Sequence, residues 1–143
     1  MRYQAQPNDL FIVSYPKCGT TWLQHIAYNI INDHPPPKNQ LACWIKMPCL
    51  SVQGGRISAG HDKTRPNKTR TAFRSWLYSK DSKYIYLTRN SYGCCVSFFY
   101  HMKDMAQYGF QDGTFDQFFD MFVEGKVDFG DSFDHLLSWY EHR

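Results

Sequence analysis

The sequence lacks any apolar run approaching the roughly 18 residues needed to cross a bilayer, and no leader-like segment precedes Asp9. The expectation is a protein of the cytoplasm without a membrane partner. It has five cysteines, Cys18, Cys43, Cys49, Cys94 and Cys95. None forms a CxxC pair, so zinc spacing is missing and no metal site is expected. An odd count without such pairs suits a reduced, intracellular protein. Repeats and low-complexity segments are absent, and no interleaving of aromatic with basic residues argues for nucleic acid. The nucleotide-loop pattern GxxxxGK[ST] is also missing, which weakens an ATPase or kinase reading.

What the chain does have is 143 residues, 43% of them apolar, with 11 Phe and 10 Tyr. That is about one domain's length and enough to bury a core. The net charge of +3 is unevenly spread. Residues 56–89 hold nine Lys/Arg against two acids, and residues 104–143 hold nine acids against two basic residues. The basic stretch suits an anionic ligand such as a phosphate, or else is a solvated face balancing the acidic one.

Residues 10–15, LFIVSY, read as a short buried strand, and residues 20–33 as a helix. On that helix Trp22, Leu23, Ile26, Ala27, Ile30 and Ile31 share a face, and His34-Pro35-Pro36-Pro37 stops it. Residues 35–67 are loop-rich, with a short helix near 41–46. Residues 69–73 read as a short strand and 83–88, KYIYLT, as a stronger one. A helix over 91–107 follows, with Val96, Phe99, Met102 and Ala106 inward. Thr114 and Gln117 fit a capping box ahead of a stripe of Phe115, Phe118, Phe119, Phe122 and Val123, better explained as core than as a cofactor site. A last helix over 132–142 is expected to bury Phe133, Leu136, Leu137 and Tyr140. Strand, helix, strand, helix is the order of an α/β protein with a parallel sheet flanked by helices. Ligands in such folds sit beyond the carboxyl ends of the strands, where Lys17 and Arg89 fall.

Between the first strand and helix runs Tyr15-Pro16-Lys17-Cys18-Gly19-Thr20-Thr21-Trp22. A strand-to-helix loop offers free N–H groups and the positive end of the helix dipole to an anion. Lys17 adds a full charge, Thr20 and Thr21 add hydroxyls, and Gly19 lets the backbone approach closely. The alternative is an ordinary capped turn. In YLTRNSYGCCVSFFYH, Arg89 ends a strand and Ser97 follows eight residues later in the next helix. Arginine presents a planar fork of donors to a phosphate. The two constellations would form two anion sites on one sheet edge.

YPKCGTTW resembles the 5′-phosphosulfate loop of the cytosolic sulfotransferases, usually YPKSGTTW. KYIYLTRNSYGCCVSFFYH resembles their 3′-phosphate segment, in which an Arg and a Ser eight residues apart bind that phosphate. FDHLLSWYEHR resembles a later helix of the family. The resemblance implies a P-loop-like sulfotransferase fold, incomplete at both ends, as a single partial domain over residues 1–143. It implies 3′-phosphoadenosine 5′-phosphosulfate as sulfuryl donor and a small-molecule hydroxyl or amine as acceptor. It places Lys17, Cys18, Gly19, Thr20, Thr21 and Trp22 on the 5′ side and adenine, and Arg89 and Ser97 on the 3′-phosphate. A homodimer belongs to the full-length family and is doubtful for this chain.

One segment departs from the family. Its general base comes from a Lys-Thr-His-Leu-Pro stretch, which aligns with Lys68-Thr69-Arg70-Thr71-Ala72. Lys68 matches the family lysine and is assigned, with Lys17, to catalysis. Arg70 stands where the histidine belongs, and its guanidinium stays protonated, so it cannot accept a proton at neutral pH. An alternative alignment over Arg74-Ser75-Trp76 supplies no histidine either. His61 and His101, and more remotely His25, are the nearby histidines, each more simply explained as a packed or surface residue. Three readings stay open: a sulfotransferase, a catalytically impaired nucleotide-binding or interaction protein of the same fold, and a small-molecule kinase. No obvious magnesium-binding acid after a strand supports the last.

Overall fold

The computed structural model describes residues 7, 9–32, 39, 67–69 and 78–142, with 67–69 as backbone. β1 (Leu10–Ser14) is the middle of a three-stranded sheet. It is flanked by β2 (Asn67–Thr69) and β3 (Lys83–Leu87), both parallel to it. A central parallel strand is covered on both faces. Hence Phe11, Ile12 and Val13 form an unbroken apolar run and all three are fully buried. Register runs from Leu10 opposite Lys83 to Ser14 opposite Leu87, so β1 and β3 end together. β2 begins at Asn67, two residues before the expected start at 69, and residues 70–73 lie outside the described residues. So does the helix expected near 41–46.

α1 spans Thr20–Ile31, closing where Asn32 donates from both its backbone and side-chain nitrogens to the Tyr28 carbonyl. Its buried positions are Thr20, Gln24, Ala27 and Tyr28. This corrects the expected face in part: Ala27 is buried and Leu23 and Ile26 are partly buried, but Trp22 is 67% and Ile30 79% exposed, and Ile31 is exposed too. The cause is local. The Thr20 hydroxyl contacts the Ser14 hydroxyl at the end of β1, and a buried hydroxyl without a partner is costly. That pair fixes the rotation of α1 ahead of its apolar stripe.

α2 (Ser91–Asp104) starts on Asn90, whose side chain accepts from the Tyr92 N–H at 3.0 Å. It stops short of 107 because Met105 is extended, and Ala106–Tyr108 form a 3-10 turn instead. Its inner face is Cys94, Cys95, Phe98, Phe99 and Met102, whereas Val96 and Ala106 are exposed. α3 (Phe115–Val123) has the expected capping box, with Thr114 and Gln117 bonded reciprocally at 3.0 and 3.3 Å. Phe118 and Phe122 are buried from its stripe, while Phe115, Phe119 and Val123 stay substantially exposed. α4 (Ser132–Tyr140) is capped by Asp131. It buries His135 and Trp139, not Phe133, Leu137 and Tyr140. Polar-tipped aromatics on β3 select that face. The Tyr86 hydroxyl lies 2.9 Å from His135 Nδ1, and the Tyr84 and Trp139 rings are 5.7 Å apart.

The core joining these layers contains Tyr15, Cys18, Cys94, Phe98, Phe99, Phe118 and Phe122. Phe118 is its hub, with ring centroids 5.7 Å from Phe98, 5.8 Å from Phe99 and 6.0 Å from Phe122. Truncating a fully buried phenylalanine removes its transfer free energy and leaves a cavity. Phe118→Ala is therefore expected to cost about 3–5 kcal/mol in urea unfolding. A cost below ~1 kcal/mol would mean that the aromatic cluster is not the core.

Candidate functional site

The turn from β1 into α1 is tight. Lys17 and Gly19 both have left-handed backbones, with φ of 65° and 99°. For glycine this conformation is free, but for lysine it costs about 1–2 kcal/mol. The surroundings hold it. Arg89 Nη1 donates to the Lys17 carbonyl at 3.1 Å, and the Cys94 thiol donates to the Pro16 carbonyl at 3.1 Å. Tyr15 is pinned below, its hydroxyl donating to the Gly130 carbonyl at 2.8 Å. Burial raises the pKa of Tyr15 and of Tyr86, so both remain hydroxyl donors at neutral pH.

Gly19 is the N-cap of α1 and makes no side-chain capping bond, and the first turn carries no acid. The N–H groups of that turn and the dipole's positive end are thus left for a ligand. A left-handed residue leading into right-handed helix also turns successive N–H groups to one side, as in anion-binding nests.

Arg89 sits just past the end of β3, exposed, and bridges the two motifs. On one side it holds Lys17. On the other it lies over the first turn of α2, where a Cβ on Gly93 would come within 3.2 Å of Arg89 Nε. Ser97, partly buried, is one turn further along α2. Lys17, Cys18, Gly19 and Arg89 are therefore gathered at the carboxyl ends of β1 and β3.

Other expected members stand differently. The Thr20 hydroxyl is buried against Ser14, so only its N–H, and the exposed Thr21 and Trp22, remain open to a ligand. Lys68 pairs in register with Ile12, a strand away from the loop on the β2 side. Arg70, His61 and the Arg74-Ser75-Trp76 stretch lie outside the described residues. His25 is partly buried on α1. His101 packs beside the rings of Phe98 and Tyr108, each 6.3 Å away. Twelve positions beyond Arg89, it sits about 15–18 Å along the helix, too far to serve this site.

Sequence reasoning missed the residues that hold the site. Cys94 supports Pro16 and lies 3.9 Å, sulfur to sulfur, from Cys18. Its hydrogen bond with Cys18 and its burial push its thiol pKa upward. The Cys18 thiol moves the other way, through the bond with Cys94 and the neighbouring Arg89. An Asn directly before a helix is a local cue that sequence reasoning did not use for Asn90; Cys94 and Gly93 carry no local signal.

Comparison with known proteins gives a consistent answer. The family described as "Sulfotransferase domain" matches residues 7–143. Sulfotransferase 1C2 of Rattus norvegicus is 32% identical over 155 residues, covering 99% of this chain and 51% of that protein. Sulfotransferase 1E1 of Homo sapiens is 32% identical over 149 residues, covering 97% and 50%. The chain thus spans about half the length of these curated relatives. Among solved structures, mouse sulfotransferase SULT7A1 complexed with PAP matches with a TM-score of 0.69 and 29% identity, over 98% of this chain and 49% of that one. That family model spans nearly the whole chain, and the chain belongs to the sulfotransferase family.

Proposed function

We propose that this chain carries the donor site of a cytoplasmic enzyme. That enzyme transfers a sulfuryl group from 3′-phosphoadenosine 5′-phosphosulfate to a hydroxyl or amine of a small-molecule acceptor. The observation that carries the reading is the 3.1 Å bond from Arg89 to the Lys17 carbonyl, which joins two cationic, donor-rich elements at one sheet edge. The complex of mouse SULT7A1 with PAP supports the same donor class.

When bound, the donor supplies an activated sulfuryl group and leaves as adenosine 3′,5′-bisphosphate. The residues present fit it. The uncapped N-terminus of α1 and the left-handed turn at Gly19 seat the 5′ side. Lys17 brings a positive charge to the leaving phosphate, where stabilisation matters most as charge develops. Cys18, Thr20, Thr21 and Trp22 line the same side, and Arg89 with Ser97 takes the 3′-phosphate. Lys68, near the end of its strand, is assigned to the reacting group.

The acceptor must also lose a proton, and Arg70 at the family's histidine position cannot take it. This supports a second reading, a domain that binds the donor but transfers poorly. A transfer assay with labelled donor and a simple phenol separates the two. Slow wild-type transfer, raised about 10²-fold or more by Arg70→His, would select the second reading. Fast wild-type transfer with no gain from Arg70→His would show that the base lies elsewhere.

A further inference from the structure

Cys18 in the anion loop and Cys94 in the first turn of α2 are 76 positions apart, yet their sulfur atoms lie 3.9 Å from each other. Both are free thiols. Both line the cleft that Arg89 and Tyr86 border, whereas the neighbouring Cys95 does not. A disulfide needs its sulfurs about 2.05 Å apart, so roughly 2 Å of approach is required, with the Cys94–Pro16 bond released. We propose that Cys18 and Cys94 are a modification site: they form a reversible disulfide when a small-molecule disulfide oxidises them, clamping the anion loop onto α2.

The chemistry balances without a further reactant. The Cys18 thiolate attacks one sulfur of the small disulfide, forming a mixed disulfide and expelling one small thiolate. Cys94 then attacks the Cys18 sulfur and expels the second. The protons lost by Cys18 and Cys94 end on the two small thiols. Two electrons pass from the protein to the oxidant. Cys18 is the first attacker on three grounds. It is the more exposed of the pair, at 9% against 2%. Arg89 favours its thiolate, and the Cys94 proton is committed to the Pro16 carbonyl at 3.1 Å. Cys95 is held as a thiol by burial within the core.

The bond has a consequence for the site, which rests on the proposed donor-binding function. Drawing Cys18 towards α2 removes the Cys94 prop from Pro16 and shifts the loop N–H groups relative to Arg89. The oxidised protein should therefore bind adenosine 3′,5′-bisphosphate at least about tenfold more weakly.

The test is to incubate the chain with millimolar oxidised glutathione and map peptides without reduction. A loss of two hydrogens per chain, a Cys18–Cys94 cross-link and full reversal by dithiothreitol are expected. Both thiols still open to alkylation on unfolding, a cross-link to another cysteine, or a glutathione adduct that persists on Cys18 would overturn the proposal. In Cys94→Ser the glutathione adduct on Cys18 should accumulate instead, since the resolving sulfur is gone. If that variant does not fold, the wild-type map decides alone. The map needs no nucleotide: a reduced protein that fails to bind the bisphosphate removes the proposed function, while the cross-link still decides the modification. A cross-linked protein that binds as tightly as the reduced one removes the clamp.

Discussion

Replacing Lys17 by alanine is expected to weaken binding of adenosine 3′,5′-bisphosphate by roughly tenfold to a hundredfold. That follows from losing a charge-assisted contact worth about 1.5–3 kcal/mol. Any transfer activity should fall further, by about 10²–10³, because the charge is needed most where the leaving phosphate develops. Alanine is the informative substitution. The backbone at 17 is left-handed, and alanine pays the same conformational cost as lysine. Glycine would relax the turn and confuse loss of charge with gain of stability. The measurement is calorimetric titration of both proteins with matched circular dichroism. Unchanged affinity in Lys17→Ala would place the 5′ group somewhere other than this loop.

Arg89→Ala should produce a loss of similar size with a different signature. Arg89 is assigned to the 3′-phosphate, so affinity for adenosine 3′,5′-bisphosphate should drop by roughly 10- to 100-fold. Affinity for adenosine 5′-phosphosulfate, which lacks that phosphate, should change by only a few-fold. The residual change on the 5′ side reflects the lost bond to the Lys17 carbonyl. Gly93→Ala should move affinity the same way by less, since its new methyl would crowd Arg89 Nε at 3.2 Å. Equal losses for both nucleotides would make Arg89 a brace for the loop and leave the 3′-phosphate without its assigned partner.

Residues whose role depends on their immediate neighbours were the legible ones. Gly19 between a strand and a helix, and Thr114 with Gln117, each announce a local geometry that the structure contains. Phe11-Ile12-Val13 announced a strand buried on both sides. Helix rotation was not legible. Apolar spacing placed Trp22 and Ile30 inside, but α1 is turned by the Ser14–Thr20 hydroxyl pair. Likewise α4 is turned by Tyr86 meeting His135, not by Phe133 and Leu137. In each case a polar contact between the helix and a strand outweighed the apolar pattern. Such contacts have no local signature. The same holds for Cys94, whose support of Pro16 spans 78 positions. Lys17 and Arg89 were each identified separately, but the bond between them is visible only in three dimensions.

The most direct measurement is calorimetric titration of the chain, under reducing conditions, with adenosine 3′,5′-bisphosphate. Saturable binding at one site per chain, with a Kd of micromolar order and near −8 kcal/mol, is the expected result. No heat at millimolar nucleotide, from a protein that is folded by circular dichroism, would contradict the claim that Lys17, Gly19 and Arg89 form a donor site.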